Sequence, residues 1–303
     1  MKKSGTKAIC NMEAFSSSID RVETDFLIIN RDYRELLDSI GLNRFESIWS
    51  YDGGQTIKKI KARSVSRISI PDGDGTRTFY LKRHNREFIG LRQLIARLFP
   101  QTALSQGKGE FANICEFRAQ KLATAAPVAA GEKPVRFLWA ESFLITEDFS
   151  PYISLEQLMK DRPEFFMGPE GKNRKKILLN RIARYAQQMH HSGFNHRDFN
   201  ATHILLLYEN GSNDPKIALF DLQRVEKRKY LRFRWMIKSL ARLNYTLPDD
   251  LFDTEDRIYL FLSYKGKERL HLWDRLQWFW IKRKTARIKR HTEKMLIRKI
   301  RKG

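Results

Sequence analysis

The stretch that most restricts the fold lies between residues 173 and 224. A helical run over 173–191 gives way to a polar turn carrying His196, Arg197, Asp198 and His203. An apolar run, Ile204–Tyr208, follows, then a turn at Asn210-Gly211-Ser212-Asn213, and a second apolar run, Ile217–Phe220, that stops at Asp221. Two β-favouring runs around a cluster of turn residues predict a hairpin. That hairpin holds Asp198 at its entrance and Asp221 at its exit, 23 residues apart. The tripeptide His-Arg-Asp is weak evidence by itself, since a turn collects charges by chance. Its place after a long helix and before a two-stranded hairpin raises it well above chance.

Upstream, the chain is strand-rich. Phe26–Ile29 reads as a strand and Tyr33–Ile40 as a short helix stopped at Gly41. Residues 55–83 read as strands. Val65–Ile70 alternates with period two, Pro71-Asp72-Gly73-Asp74-Gly75 is a strong turn, and Thr78–Lys82 returns as the partner strand. Residues 86–99 are expected to form a basic helix, and 109–122 another that ends before an Ala/Pro-rich stretch at 123–130. Residues 136–149 are strand-like, 154–160 helical, and most of the chain from 226 onward helical. The sequence thus predicts an α+β fold with a strand-rich first lobe and a helical second one. The expected segments are a loose arm at 1–24, an N-lobe at 25–148, a C-lobe at 149–265 and a basic helix at 266–303. A connector near 147–152 joins the lobes, and no internal repeat is apparent.

Composition narrows the partners. The chain of 303 residues carries a formal charge of +22, which calls for an anionic partner: nucleic acid, anionic lipid or a phosphorylated substrate. The excess is mainly C-terminal, since residues 222–303 hold 24 Lys and Arg against 9 Asp and Glu. Hydrophobic residues make up 42%, including 20 Phe and 6 Trp, enough for a large core. Cys10 and Cys115 stand far apart without metal-ligand spacing, which argues against a disulfide framework or zinc site and agrees with a reducing compartment. No secretory signal or transmembrane run is expected from the pattern.

The order of charged residues fits phosphoryl transfer in a protein-kinase-like bilobal fold. That chemistry needs a lysine on the nucleotide phosphates, a glutamate to hold it, carboxylates for magnesium, and a base for the attacking hydroxyl. Lys82 ends the strand Phe79-Tyr80-Leu81-Lys82, although an ordinary strand-end lysine would look the same. Glu110 and Glu116, in the helix that follows, both qualify as its partner. Asp198 is the candidate base, with Arg197 buttressing the loop and His196 packed beneath it. His203 stands where the protein-kinase loop H-R-D-x-x-x-x-N has its asparagine, and would orient a metal or a phosphate oxygen. Asp221 stands where the D-F-G aspartate binds magnesium, but the sequence here is Asp221-Leu222-Gln223, without the glycine. The apolar strand Ser142–Thr146 leads into Glu147-Asp148, and backbone groups of 146–149, Glu147 among them, are candidates for the adenine edge. Gly53-Gly54 lies too early for the phosphate-covering turn. That turn is expected at 61–64, where Arg63 and Ser64 either touch phosphates or form a plain basic turn.

The assembled set resembles the lipopolysaccharide core kinase family, the Kdo and heptose kinases. That family uses His-Arg-Asp-x-x-x-x-His and Asp-Leu-x-Arg, and both stand here as His196–His203 and Asp221-Leu222-Gln223-Arg224. Tyr80-Leu81-Lys82-Arg83-His84, the basic hairpin at 61–67, Glu110-Phe111 and the stretch Thr124–Gly131 are similar to further family motifs. Phe111 replaces the usual Trp, and the tail is longer and more basic. The resemblance covers about residues 55–245 and favours Glu110 over Glu116. It implies ATP and Mg2+ as cofactors, with Lys82 and Glu110 on the nucleotide, Asp221 on the metal and Asp198 accepting the proton of a sugar hydroxyl. It also implies a lipid A–core acceptor at the cytoplasmic face of the inner membrane. Two rivals keep the fold: a kinase acting on a protein or small-molecule hydroxyl, and a non-catalytic pseudokinase.

The tail reads as a long helix over Arg269–Lys302. Trp273, Leu276 and Trp280 are spaced by three and four, beside Lys282-Arg283-Lys284. Such a helix either lies in an anionic membrane interface or packs its aromatics on the C-lobe. Nucleic-acid binding is disfavoured, because the aromatics bunch at the helix start instead of interleaving with the charges.

Overall fold

The structure, a computed structural model, describes residues 19–24, 26–60, 62–89, 105–136, 138–209, 211–227 and 232–301. The chain begins with β1 (Arg21–Glu23), β2 (Leu27–Asn30), α1 (Arg34–Ser39) and α2 (Phe45–Ser50). It continues through β3 (Gln55–Ile60), β4 (Arg63–Asp72) and β5 (Gly75–Phe88) to helix α3 (Gln106–Ala119), then β6 (Pro127–Arg136) and β7 (Trp139–Glu147). These strands form one seven-stranded antiparallel sheet in the order β1-β2-β6-β7-β5-β4-β3. The β4–β5 hairpin pairs Asp72 with Gly75, as the alternation and the turn predict, and Gly73 takes the positive φ of 58° that such a tight reversal requires.

Period-two alternation gives the sheet two apolar faces. In β7, Phe143 and Ile145 face one core with Tyr33, Phe45, Ile48 and Phe79. Leu144, between them, faces the other core with Phe111, Ile114 and Phe117 of α3. That second core runs on without a break into the helical lobe, so α3 packs against both lobes.

The helical lobe starts with β8 (Ile153–Ser154), α4 (Leu155–Asp161) and the long α5 (Gly168–His191). Next come β9 (Phe194–His196), the hairpin β10 (Ile204–Leu207) and β11 (Lys216–Leu219), and β12 (Val225–Lys227), which pairs with β9. Three helices close the fold: α6 (Arg232–Thr246), α7 (Thr254–Lys265) and α8 (Leu272–Ile300). Gly266 ends α7 in the left-handed conformation, and the fully buried Asp274 then binds Lys267 at 2.6 Å, fixing the start of α8. Along α8, Trp278 stacks on Phe261 and Thr285 binds back to Ala241, so this helix docks on the lobe through its first half. Trp273, Leu276, Phe279 and Trp280 stay exposed. The packing expected of the tail is thus seen for one face of the helix, with Trp278 in the core, while the other aromatics stay at the surface.

Several expectations change. Most of the basic helix expected at 86–99 lies outside the described residues, but residues 86–88 continue β5, with Glu87 opposite Ala140 and Phe88 opposite Trp139. The Ala/Pro-rich stretch after residue 123 contributes a strand, β6. Pro127 opens it and Pro134 sits beside a register shift, the positions where a strand tolerates proline. Of the loose arm expected at 1–24, residues 1–18 lie outside the described residues and Arg21–Glu23 form β1. Among the described residues no helix is long and apolar enough to cross a membrane.

Candidate active site

A cleft of about 810 Å3 opens between the sheet and the helical lobe. On its sheet side, β5 carries Lys82 inward. Lys82 Nζ lies 2.7 Å from Glu110 Oε1, and the Glu110 side chain is 1% exposed. Glu110 sits on the face of α3 turned to the sheet, whereas Glu116, the other candidate, pairs with Lys227 at the surface. Alternation in β4 turns Arg63, Val65 and Arg67 to the cleft. Ser64, expected at the phosphates, is not among the cleft-lining residues; as an even-numbered strand position it belongs to the opposite face. Arg63 donates to Gln223 Oε1 at 3.1 Å and so ties the first hairpin to the turn after Asp221.

Glu147 is also placed differently from expectation. Its carboxylate accepts from Tyr33 at 2.9 Å and from Arg77 at 2.7 Å, and its N–H donates to Ala126. It locks the sheet, while its neighbours Thr146, Asp148 and Phe149 line the cleft.

On the helical side, Asp221 follows β11 with a left-handed backbone, φ 59° and ψ 58°. Aspartate tolerates this conformation better than most residues, and it aims the carboxylate at Lys82 Nζ, 3.9 Å away. Burial pushes the Asp221 carboxyl up, but the cations beside it, Lys82 first and then Arg63, outweigh it and hold it below its ordinary value. Its Oδ1 is buried with no hydrogen-bond partner. His203 Nδ1 faces the Asp198 carbonyl oxygen at 2.9 Å, which makes Nδ1 the protonated nitrogen of the neutral ring. Nε2 is then left as an acceptor, 3.8 Å from Asp221 Oδ2. Two electron-rich atoms facing each other, one beside an orphaned buried carboxylate oxygen, fit a bound cation between them.

The loop aspartate is held from the other direction. Asp198 Oδ2 accepts from Arg224 at 2.6 Å, and Asp198 Oδ1 lies 3.6 Å from Arg242. His196 is buried beneath, its Nδ1 accepting from the Asp198 N–H at 3.1 Å, and its ring is 5.5 Å from His203. Burial first, then the nearby His203, lower the His196 pKa to about 4. Arg197 does not reach Asp198; it pairs with Glu226 and braces β9 against β12. Arg242 gave no sequence signal, because it lies on a helix 44 residues downstream. Arg224 stands in the Asp-Leu-Gln-Arg motif, and its contact with Asp198 gives that motif a physical reason. Thr124, whose buried hydroxyl lacks a partner, also lines the cleft; the sequence marked it only as the first residue of the family-like stretch Thr124–Gly131.

Lys82, Glu110, His203 and Asp221 line one interlobe cleft, while Asp198 is not among the lining residues and is tied to it through His203, whose ring faces its carbonyl. A lysine–glutamate pair and a post-strand aspartate around such a cleft, with a loop aspartate beside it, is the layout of a kinase-like fold. Comparison with known proteins bears on this directly. The sequence model of the lipopolysaccharide kinase (Kdo/WaaP) family matches residues 52–264, and the chain belongs to that family. It is 28% identical over 210 residues to the lipopolysaccharide core heptose(I) kinase WaaP of Escherichia coli, covering 68% of this chain and 75% of that one. Identity to the Pseudomonas aeruginosa protein of the same name is 27% over 241 residues, 78% of this chain and 85% of that one. A solved structure described as WaaP in complex with acyl carrier protein superposes with a TM-score of 0.65 at 26% identity, covering 86% of this chain and 98% of that one. Membership of a kinase family implies ATP-dependent phosphoryl transfer to a sugar.

Proposed function

We propose that the protein transfers the γ-phosphoryl group of ATP to a heptose or Kdo hydroxyl of the lipopolysaccharide inner core, using Asp198, Lys82, Glu110, Asp221 and His203. The observation that carries this reading is the Lys82–Glu110 pair lying within 3.9 Å of Asp221 in a cleft large enough for a nucleotide. Glu110 fixes Lys82 so that its ammonium meets the nucleotide phosphates without rearrangement. Asp221 and His203 Nε2 are the atoms that would hold Mg2+, with water completing the shell that this oxygen-seeking ion prefers. A cation held there would supply charge neutralisation for the phosphate oxygens. Asp198, oriented by Arg224 and Arg242, accepts the hydrogen bond of the attacking hydroxyl and takes its proton. Little base strength is required of it, because the transition state for phosphoryl transfer is loose.

The acceptor is taken to sit on an anionic membrane surface, reached through the exposed aromatic face and basic side chains of α8. Relatives named as core heptose(I) kinases support heptose as the first acceptor to try. The test is to incubate the protein with ATP, Mg2+ and dephosphorylated lipid A–core, and to find the added phosphate by mass spectrometry. One phosphate on an inner-core sugar, abolished by EDTA, is the expected result. ATP turnover that phosphorylates only a protein or small-molecule hydroxyl would discard the acceptor.

A further inference from the structure

A second recess, of about 260 Å3, shares no lining residue with the cleft. It lies between the catalytic loop and helices α6 and α8. Arg197, Arg224, Lys238, Arg242 and Lys284 line it. Asp198 and Glu226 answer three of these cations. Lys238 and Lys284 have no ion pair among the described residues. Partial burial first, then the neighbouring cations, lower the pKa of both lysines, with Glu226 offsetting part of this at Lys238. A second, independent observation is Ser239. Its side chain lines the recess at 2% exposure, and its hydroxyl has no hydrogen-bond partner. A merely solvated basic face would leave its lysines free to spread into water and would not bury an idle hydroxyl beneath them.

The position of the recess says what the anion belongs to. Arg224 and Arg242 form part of its wall and also hold the two carboxylate oxygens of Asp198. A group seated there is therefore adjacent to the hydroxyl that Asp198 receives, and the volume suits a carboxylate or phosphate on a sugar ring but not a nucleotide. We infer that this recess binds an anionic substituent of the acceptor, a carboxylate or phosphate, with Lys238, Lys284 and Ser239 as the residues that select for it. The inference rests on the sugar-acceptor reading above and adds that the acceptor is recognised by its charge next to the reacting hydroxyl.

The first test measures binding without turnover. The cleft is filled with a non-hydrolysable ATP analogue and Mg2+, and inorganic phosphate or acetate is titrated in. The reporter is the NMR signal of the Trp235 indole, over which Lys238 Nζ lies at 4.1 Å. Saturable binding of either anion, weakened at least ten-fold in Lys238→Gln/Lys284→Gln and several-fold in Ser239→Ala with unchanged thermal stability, is the expected result. No saturable binding, or equal binding by wild type and variants, overturns the inference.

The second test measures transfer. The double variant is expected to raise KM for the lipid acceptor at least ten-fold, with kcat and KM for ATP unchanged. The difference should vanish for an acceptor whose carboxyl groups are reduced to alcohols, or for one stripped of phosphate. Whichever treatment removes it identifies the anion. Equal losses on charged and neutral acceptors overturn the inference while leaving the kinase reading intact. Lysine-dependent anion binding in a protein that transfers to no lipid supports the recess and discards the acceptor.

Discussion

Lys82 and Glu110 show how a single pair joins stability to function. The Glu110 carboxylate is nearly inaccessible, and Lys82 is the cation 2.7 Å from it. Lys82→Met would strand a buried charge, at a cost of about 3 kcal/mol, and should slow phosphoryl transfer by at least about 100-fold through lost electrostatic stabilisation. Urea denaturation and initial rates measure the two effects separately. The buried histidines predict the pH response. His84, His190 and His196 are each lowered to about 4, by burial first, whereas in the unfolded chain they titrate near the ordinary histidine value of 6.5. Between those values the unfolded chain binds more protons, so stability is fully present above about pH 6.5 and is lost progressively as pH falls toward 4. Unfolding free energies measured across that window should fall with acid; a flat profile would show that these rings are not held neutral. Lys82, Asp198 and Asp221 were legible as candidate residues because each terminates or precedes an apolar run of defined type. Arg242 was not, since a helical arginine among so many carries no local mark of the loop it reaches.

At the scale of elements, α8 separates two roles along one helix. Trp278 stacks on Phe261 and belongs to the core. Trp273 stacks on Phe233 at the surface. Trp278→Ala should destabilise by about 3 kcal/mol through the cavity it leaves. Trp273→Ala should change stability by no more than about 0.5 kcal/mol, yet weaken sedimentation with vesicles containing anionic lipid. Equal vesicle binding by wild type and Trp273→Ala would remove the aromatic face from the membrane reading. The hairpin carrying the loop was readable because turn chemistry and β-branched or apolar runs agreed locally. Strand β6 was not: its Pro127, Val128, Ala129, Ala130 and Gly131 lack the bulky alternation that marks a strand. Their small size has a tertiary cause, since a Cβ added to Gly131 would come within 2.4 Å of the Phe143 ring. That contact is made across the sheet and leaves no local trace. Continuation of β5 through residues 86–88 is likewise set by pairing with β7, which overrode the basic, helix-like composition there.

At the scale of the whole molecule, the two lobes share α3, so the lysine–glutamate pair and the Asp198–Asp221 hairpin are brought together by one continuous core rather than by a hinge alone. The net charge of +22 is concentrated where the catalytic loop, the anion recess and α8 lie on the C-terminal half. Such a field favours an anionic partner on that half of the molecule, and its effect should decline with salt. The order of strand-rich and helical segments made this architecture readable, whereas the continuity between lobes depends on long-range packing that no window of sequence contains. The central claim is that Asp198 receives the acceptor hydroxyl while the cleft holds the nucleotide. The most direct test compares wild type and Asp198→Asn in γ-phosphoryl transfer to dephosphorylated lipid A–core, with ATP binding measured on the same preparations. The account predicts unchanged ATP affinity and transfer reduced by at least about 100-fold. A folded Asp198→Asn protein that binds ATP and phosphorylates the lipid at the wild-type rate would contradict it.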